Sequence, residues 1–383
     1  MSDDLIVQRP EGLYCPPGDF YIDHWRRVDR AVITHAHADH ARTGHAHYLA
    51  TAVSEGLLRA RLGAGISLQG LAYGETVEHH GVRLSLHPAG HVLGSAQVRV
   101  EHEGRVWVAS GDYRTTPAGA VPDRTCAPFE SVRCDVFITE STFGLPIYRW
   151  RADTEIFAEI NRWWQDNAEV GRASVLTCYS LGKAQRILAG VDASIGPIVC
   201  HGAVEPLNRA YRAAGIALPD TLQVGDVSDP AALRRALVLC PGSALGSPWM
   251  QRFGDVSDAF ASGWMQVRGW RRRGGLDRGF VLSDHADWPG LLRAIEASRA
   301  ERVIVTHGSV PVLVRGGGRE DLQQVFARSR VLLDQGAVGM VYGRNVYQHA
   351  KPSAVVDALM AMIHRGASAA AAWDIYSTGT HAS

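Results

Sequence analysis

Hydrophobic and polar positions divide the chain into two regimes. Up to about residue 150, short apolar runs end in Gly- and Pro-containing turns. Phe20–Asp23, Ala31–Thr34, Val82–His87 and Gln97–Glu101 read as strands, and Asp135–Thr139 is a further run of strand length. Arg105–Ser110 is expected to pair with Gln97–Glu101, because Glu103-Gly104 supplies a two-residue hairpin turn. Beyond residue 150 the period changes. Ile156, Phe157, Ile160, Trp163 and Trp164 fall on one helical face, with Gly171 as the stop. A strand Ser174–Cys178 then runs into a helix Leu181–Ala189. Ile198–Cys200, Ala236–Cys240 and Phe280–Ser283 read as buried strands, followed by a helix Pro289–Arg299 and a strand Val303–Thr306. Strands alternating with helices predict a parallel α/β unit. A helix Ala354–His364 and an Ala/Ser/Gly/Thr-rich tail, expected to be mobile, complete the chain.

Composition narrows this picture. A chain of 383 residues has room for two to three domains, and 46% hydrophobic with 20% charged residues fits a folded protein rather than a disordered one. No apolar run reaches the roughly 20 residues of a membrane span, and the start, MSDDLIVQRPEG, lacks the basic and apolar regions of a signal peptide. Six cysteines without a CxxC pair suit reduced thiols. The expected compartment is therefore the cytoplasm, with no membrane partner. Basic and acidic residues balance at 39 each, so a nucleic acid would have to be met by a local patch.

The 17 histidines change the picture most. His35-Ala36-His37-Ala38-Asp39-His40 directly follows the strand Ala31–Thr34. Three imidazoles and a carboxylate in six residues are costly to bury unless a divalent cation satisfies several of them together. The spacing differs from the i, i+4 pattern of a helical HExxH site, which places these residues on a loop at a strand end. His91 in HPAGHVLGSA, Asp112 in ASGDYR and His307 in VIVTHGS also sit at strand exits, where α/β proteins gather their sites. Taken singly, such residues are more often structural. Tyr179, Ser180, Gly182 and Lys183 lie where a strand enters a helix, an arrangement whose backbone N–H groups can bind an anion. Arg271, Arg272 and Arg273 beside Trp270 are candidates for a phosphate-binding rim. His45, His47 and the pair His79-His80 read as structural or surface residues.

In this order HAHADH, GHVLGSA and SGDY resemble the metallo-β-lactamase superfamily. Glu140 in VFITESTFG, His285 in FVLSDHADW and His307 in VTHGS match motifs of its nucleic-acid-processing branch, the β-CASP nucleases. CYSLGKAQ at Cys178–Gln185 is similar to that branch's phosphate-contacting turn. The likeness covers about residues 10–345, and within the branch the bacterial ligase-associated DNA exonuclease group is the most similar. The resemblance implies an α/β fold: a metallo-β-lactamase αββα sandwich over 1–150 and 280–350, a β-CASP α/β domain inserted at 151–279, and a C-terminal helix and tail over 351–383.

For the site, the resemblance implies two divalent metal ions, zinc or manganese. His35, His37 and His91 would hold one; Asp39, His40 and His307 would hold the other, with Asp112 bridging. Asp23 would orient the ligands, Asp19 being a weaker candidate. A metal-bridging hydroxide would attack phosphorus, and His285, oriented by Glu140, would protonate the leaving group or hold a phosphate oxygen. The implied activity is phosphodiester hydrolysis, as an exonuclease on DNA in repair and in functional association with a DNA ligase. His307 and the wording GHVLGS point instead to RNA-processing members, which makes an RNA nuclease the alternative. A small-molecule metallo-hydrolase stands behind both, disfavoured by the large insertion.

Overall fold

The computed structural model describes residues 4–116, 121–267, 276–306, 321–334 and 349–378, together with the backbone of 313–315 and 339–341. It divides into two compact units, Met1–Gly308 and Ser309–Ser383.

The first unit contains two mixed six-stranded sheets. One runs in the spatial order Val7–Arg9, Gly12–Cys15, Phe20–Ile22, Arg30–Val32, His47–Thr51 and Leu68–Leu71; the other runs Arg302–Val305, Val136–Thr139, Arg105–Ala109, Ala96–His102, Val82–Pro88 and Thr76–His79. Their facing sides share one core, in which Phe20, Ile22, Val32 and Leu71 meet Leu84, Leu86, Val98, Val100 and Ile138. The outer side of the first sheet is covered by the helix Glu55–Leu62, through Leu57 and Leu58 against Ile33, Tyr48 and Ala50. The helix Trp288–Ser298 covers the second sheet, with Leu291 and Ala294 packing near Tyr113 and Ile295 near Val108 and Phe137. Because each sheet is sandwiched on both sides, strands such as Val136–Thr139 are buried at every position and show no alternation. This is the αββα layering of the metallo-β-lactamase fold.

The expected hairpin is present: Arg105 pairs with His102 and Ala109 with Val98, around a turn in which Glu103 and Gly104 both take positive φ, 49° and 76°. The third sheet is parallel throughout, in the order Ile198–Cys200, Leu237–Cys240, Ala173–Thr177, Val256–Ala261 and Arg278–Phe280. The helices Asp153–Glu169 and Lys183–Gly190 cover one face through Ile160, Trp164, Ile187 and Leu188. Leu233, Met250 and Phe253 close the other. The last strand ends earlier than the apolar run suggests. Residues 281–285 leave the sheet and turn toward buried charges described below.

The second unit packs the helices Leu322–Asp334, Pro352–Arg365 and Ala369–Thr378 around Phe326, Val355, Leu359 and Met362. The stretch that composition marks as a mobile tail is therefore helical over 369–378. Ala372 is fully buried, and Trp373, Ile375 and Tyr376 pack against the same core. Alanine-rich sequence favours helix once an apolar face finds a partner. Among the described residues, no helix is long and apolar enough to cross a membrane.

Candidate metal centre

The chain places the candidate ligands on loops that leave the strands at one edge of the two sheets. The strand Arg30–Val32 feeds Thr34 and His35, Val82–Pro88 feeds His91, Arg105–Ala109 feeds Asp112, and Val136–Thr139 feeds Glu140. His35 Nε2 lies 3.0 Å from His37 Nδ1, and His91 Nε2 lies 3.1 Å from that same nitrogen. Asp112 Oδ2 faces His40 Nε2 at 3.4 Å, His35 Nε2 at 3.7 Å and His91 Nε2 at 3.8 Å.

The outer nitrogens fix the tautomers. His37 donates from Nε2 to the Leu181 carbonyl (3.1 Å), and His91 donates from Nδ1 to the Asp284 carbonyl (2.8 Å). Thr34 gives its hydroxyl hydrogen to Asp23 Oδ2 at 2.5 Å, so its oxygen accepts from His35 Nδ1 at 3.1 Å. His40 donates from Nδ1 to Asp23 Oδ2 at 2.7 Å. The inner nitrogens of His35, His37 and His91 are thus lone pairs pointed at one another. That arrangement repels unless a cation sits between them, and tetrahedral zinc ligands at 2.0–2.1 Å place their nitrogens about 3.3 Å apart. The donor set fits a divalent metal on this ground. Candidate ligand atoms group as His35, His37, His91 and Asp112, as Asp23, His35 and His40, and as Asp112, Glu140 and His285.

Charge follows the same logic. Burial holds His35 and His91 well below the usual imidazole range and also lowers His37. Burial pushes His40 the same way, yet the carboxylates of Asp112 and Asp23 raise it well above that range. For His285 burial is likewise outweighed, by Glu140 and Asp112, and the group is pushed up to about 9. Asp112 resists the upward push of burial and is held well below the usual carboxylate range by His40 and His285. The carboxylates therefore draw positive charge into the pocket, which a metal cation can supply.

His285 Nδ1 donates to both Glu140 oxygens at 2.9 Å, and its Nε2 points toward Asp112 Oδ2 at 3.9 Å. Glu140 is buried and also accepts from the Tyr113 amide at 2.8 Å and the Thr142 hydroxyl at 2.5 Å. Asp39 stands at the rim with a 68% exposed side chain, 3.7 Å from His40 Nε2. Beside it opens a cleft of about 270 Å³ lined in part by Trp25, Asp39, His40, Gly111 and Glu140. Of the residues singled out in sequence, His307 and the run Trp270–Arg273 lie outside the described residues. Asp19 hydrogen-bonds Tyr14 at 2.8 Å, while Asp23 makes the contacts to Thr34 and His40.

The strand-to-helix turn is arranged differently from an open anion cradle. Lys183 is buried, with its ammonium 2.9 Å from Asp284 Oδ1 and 2.8 Å from the Leu282 carbonyl. The Gly182 amide donates to Gln185 Oε1 at 2.7 Å, and Ser180 accepts from Gln185 Nε2 at 3.1 Å. Tyr179 faces outward, its ring 6.3 Å from that of His37.

Sequence reasoning missed the charges behind the site. Arg186 pairs with Asp153, with Asp123 at 3.2 Å and with Asp284 at 3.1 Å; Arg114 pairs with Asp153 at 3.0 Å. This network ties the helix Lys183–Gly190 to the loop that carries both the Asp284 carbonyl and His285. Asp284 is adjacent to a motif histidine, which is the one local signal that marks it. Nothing local distinguishes Arg186 from a surface arginine.

No protein-family model matches the chain. A "Probable DNA ligase" of Opitutus terrae is 33% identical over 304 residues, 79% of this chain and 29% of that relative. "Cleavage and polyadenylation specificity factor subunit 3" of Dictyostelium discoideum is 27% identical over 33% of this chain and 16% of its own length. "Endoribonuclease YSH1" of Saccharomyces cerevisiae is 29% identical over 31% of this chain and 15% of its own length. The chain thus spans less than a third of these curated relatives. A crystal structure of a protein of unknown function from Enterococcus faecalis V583 superposes with a TM-score of 0.51 at 11% identity, over 73% of this chain and 75% of that one, a likeness of fold. Together with the αββα layers and the converging histidines, these likenesses support the resemblance to the metallo-β-lactamase superfamily and its β-CASP nucleases.

Proposed function

We propose that the chain is a metal-dependent phosphodiester hydrolase acting on nucleic acid, as an exonuclease on DNA in repair. The observation that carries the hydrolase reading is the convergence of the His35, His37 and His91 lone pairs on one another, with Asp112 and the His285–Glu140 pair beside them. His35, His37, His91 and Asp112 would hold one metal. Asp39, His40 and His307 would complete a second with Asp112, and Asp23 would orient His40 and Thr34. Bound there, zinc or manganese ions supply a nucleophile from water at neutral pH and offset the charge growing on phosphate.

The chain's own residues do the rest. Glu140 fixes His285 through Nδ1, which leaves Nε2 facing the pocket to hold a phosphate oxygen or to give a proton to the leaving oxygen. The length of the likeness to a protein named as a DNA ligase supports DNA as substrate and a ligase as functional partner. The shorter likenesses to an endoribonuclease and a cleavage factor support the second reading, an RNA-processing nuclease.

A matched assay tests this. End-labelled single-stranded DNA and RNA of one sequence are incubated with zinc or manganese, beside the Asp39→Ala/His40→Ala variant. Stepwise shortening of DNA, lost in the variant, is the expected result. Preferential cleavage of RNA would transfer the assignment to RNA processing. Cleavage of neither, alongside rapid hydrolysis of a small thioester or lactam, would overturn the nuclease reading.

A further inference from the structure

Tyr179 is 62% exposed, although an aromatic ring of its size is ordinarily worth burying. The backbone beneath it is tightly held. The Tyr179 carbonyl accepts from the Ala184 amide at 3.1 Å, and Cys178 donates to the Cys240 carbonyl at 2.9 Å. Leu181 is fixed to His37 at 3.1 Å, and Gly182 lies so close to Val92 that a Cβ there would sit 2.3 Å from Val92 Cγ1. The ring is therefore carried by a rigid turn that is itself bonded to a candidate metal ligand.

We infer that Tyr179 is a stacking platform for the nucleobase next to the scissile phosphate. This rests on the nuclease reading and deepens it. A base lies one sugar away from its own phosphate, a span of the same order as the 6.3 Å between the Tyr179 and His37 rings. Base–aromatic stacking tolerates any base, because each presents a π-face. A base inside a duplex is covered on both faces by its neighbours, so an internal base must leave the helix before it can lie on this ring. Lys183 and the Gly182 amide are engaged inside the protein, and the ring is the most exposed part of this turn.

The experiment uses the metal-loaded full chain and a fluorescent single-stranded twelve-mer, made as DNA and as RNA, with one abasic site walked along it. Binding is read by anisotropy on phosphorothioate strands, and cleavage is read on ordinary ones. Tyr179→Ala is expected to weaken binding of the intact strand about 5- to 150-fold, the range found for stacking of one base. Tyr179→Phe is expected to stay within about twofold of the native protein, since the ring face is kept. With the abasic site at one position, native protein and Tyr179→Ala should bind alike, because a double-mutant cycle isolates the ring–base contact. Equal binding by native protein and Tyr179→Ala on the intact strand would overturn the inference. So would a loss in Tyr179→Phe as large as in Tyr179→Ala, which would assign the contact to the hydroxyl. Bound metal, measured in each variant, shows that the centre is intact. Cleavage of no strand, with the stacking signature still present in binding, would remove the nuclease reading and leave this inference standing. Binding of no strand would remove both.

Discussion

Replacing Asp284 by asparagine tests the charges behind the candidate metal centre. The substitution keeps the side chain's shape and removes its charge. Three cations, Lys183, Arg186 and Arg114, now face three carboxylates, Asp284, Asp153 and Asp123. Arg186 keeps two acidic partners in the variant, whereas Lys183 keeps the Leu282 carbonyl as a hydrogen-bond acceptor. Breaking a buried pair in this way costs about 3–5 kcal/mol. The loss has a ceiling, because Lys183 can shed its proton; from an ordinary pKa of roughly 10.4, that costs about 4.6 kcal/mol at pH 7. A loss of about 3 to 4.6 kcal/mol in the unfolding free energy is therefore expected at pH 7.

The pH dependence is more diagnostic than the size. A lysine whose folded pKa lies below its unfolded value releases a proton on folding. The variant should then regain about 1.4 kcal/mol per pH unit as the medium approaches the unfolded lysine value. In the native protein, against the upward push of burial, Lys183 and Arg186 hold Asp284 below the usual carboxylate range. That contribution is fully present above about pH 3.9 and fades as pH falls through the folded value, so the gap to the variant should narrow in acid as well. Guanidinium unfolding followed by tryptophan fluorescence at several pH values measures both arms. A loss below about 1 kcal/mol at pH 7, or one that stays constant from pH 7 to 10, would refute the reasoning.

Further predictions bear on the centre itself. Gly182→Ala introduces a Cβ against Val92 at a φ of +84°, costs about 1–3 kcal/mol in backbone strain alone, and should weaken metal binding by shifting the Leu181 carbonyl from His37; metal titration of the purified variant reads this. Glu140→Gln leaves His285 without its carboxylate and is expected to lower kcat about 10–100-fold while changing KM less. Asp39→Ala/His40→Ala should carry less bound metal by elemental analysis than the native chain. Chelation should abolish cleavage in the native chain, and added zinc or manganese should restore it.

Much of the candidate site was legible in sequence because the candidate ligands are packed into short motifs. HAHADH places three imidazoles and a carboxylate at one strand exit, and local chemistry alone argues that they need a cation. The strands were legible for a related reason: buried on both faces, they form apolar runs bounded by turn residues. The structure over 369–378 differs from the mobile tail expected from its Ala, Ser, Gly and Thr content, because Trp373, Ile375 and Tyr376 within it find a packing partner that orders the helix. The distances that bring His91 and His285 beside HAHADH were set by tertiary folding, since those residues reach the site from separate strands. Which nitrogen of each histidine points inward also depended on distant acceptors, the Leu181 and Asp284 carbonyls and Asp23. Lys183 shows the limit most plainly. Its sequence setting fits an anion contact, but burial next to Asp284 makes an internal ion pair the cheaper state. The sequence by itself determined the kinds of groups present and their order along the chain; only the tertiary structure decided which of them meet, because pairing of buried charge is settled by desolvation across the whole fold.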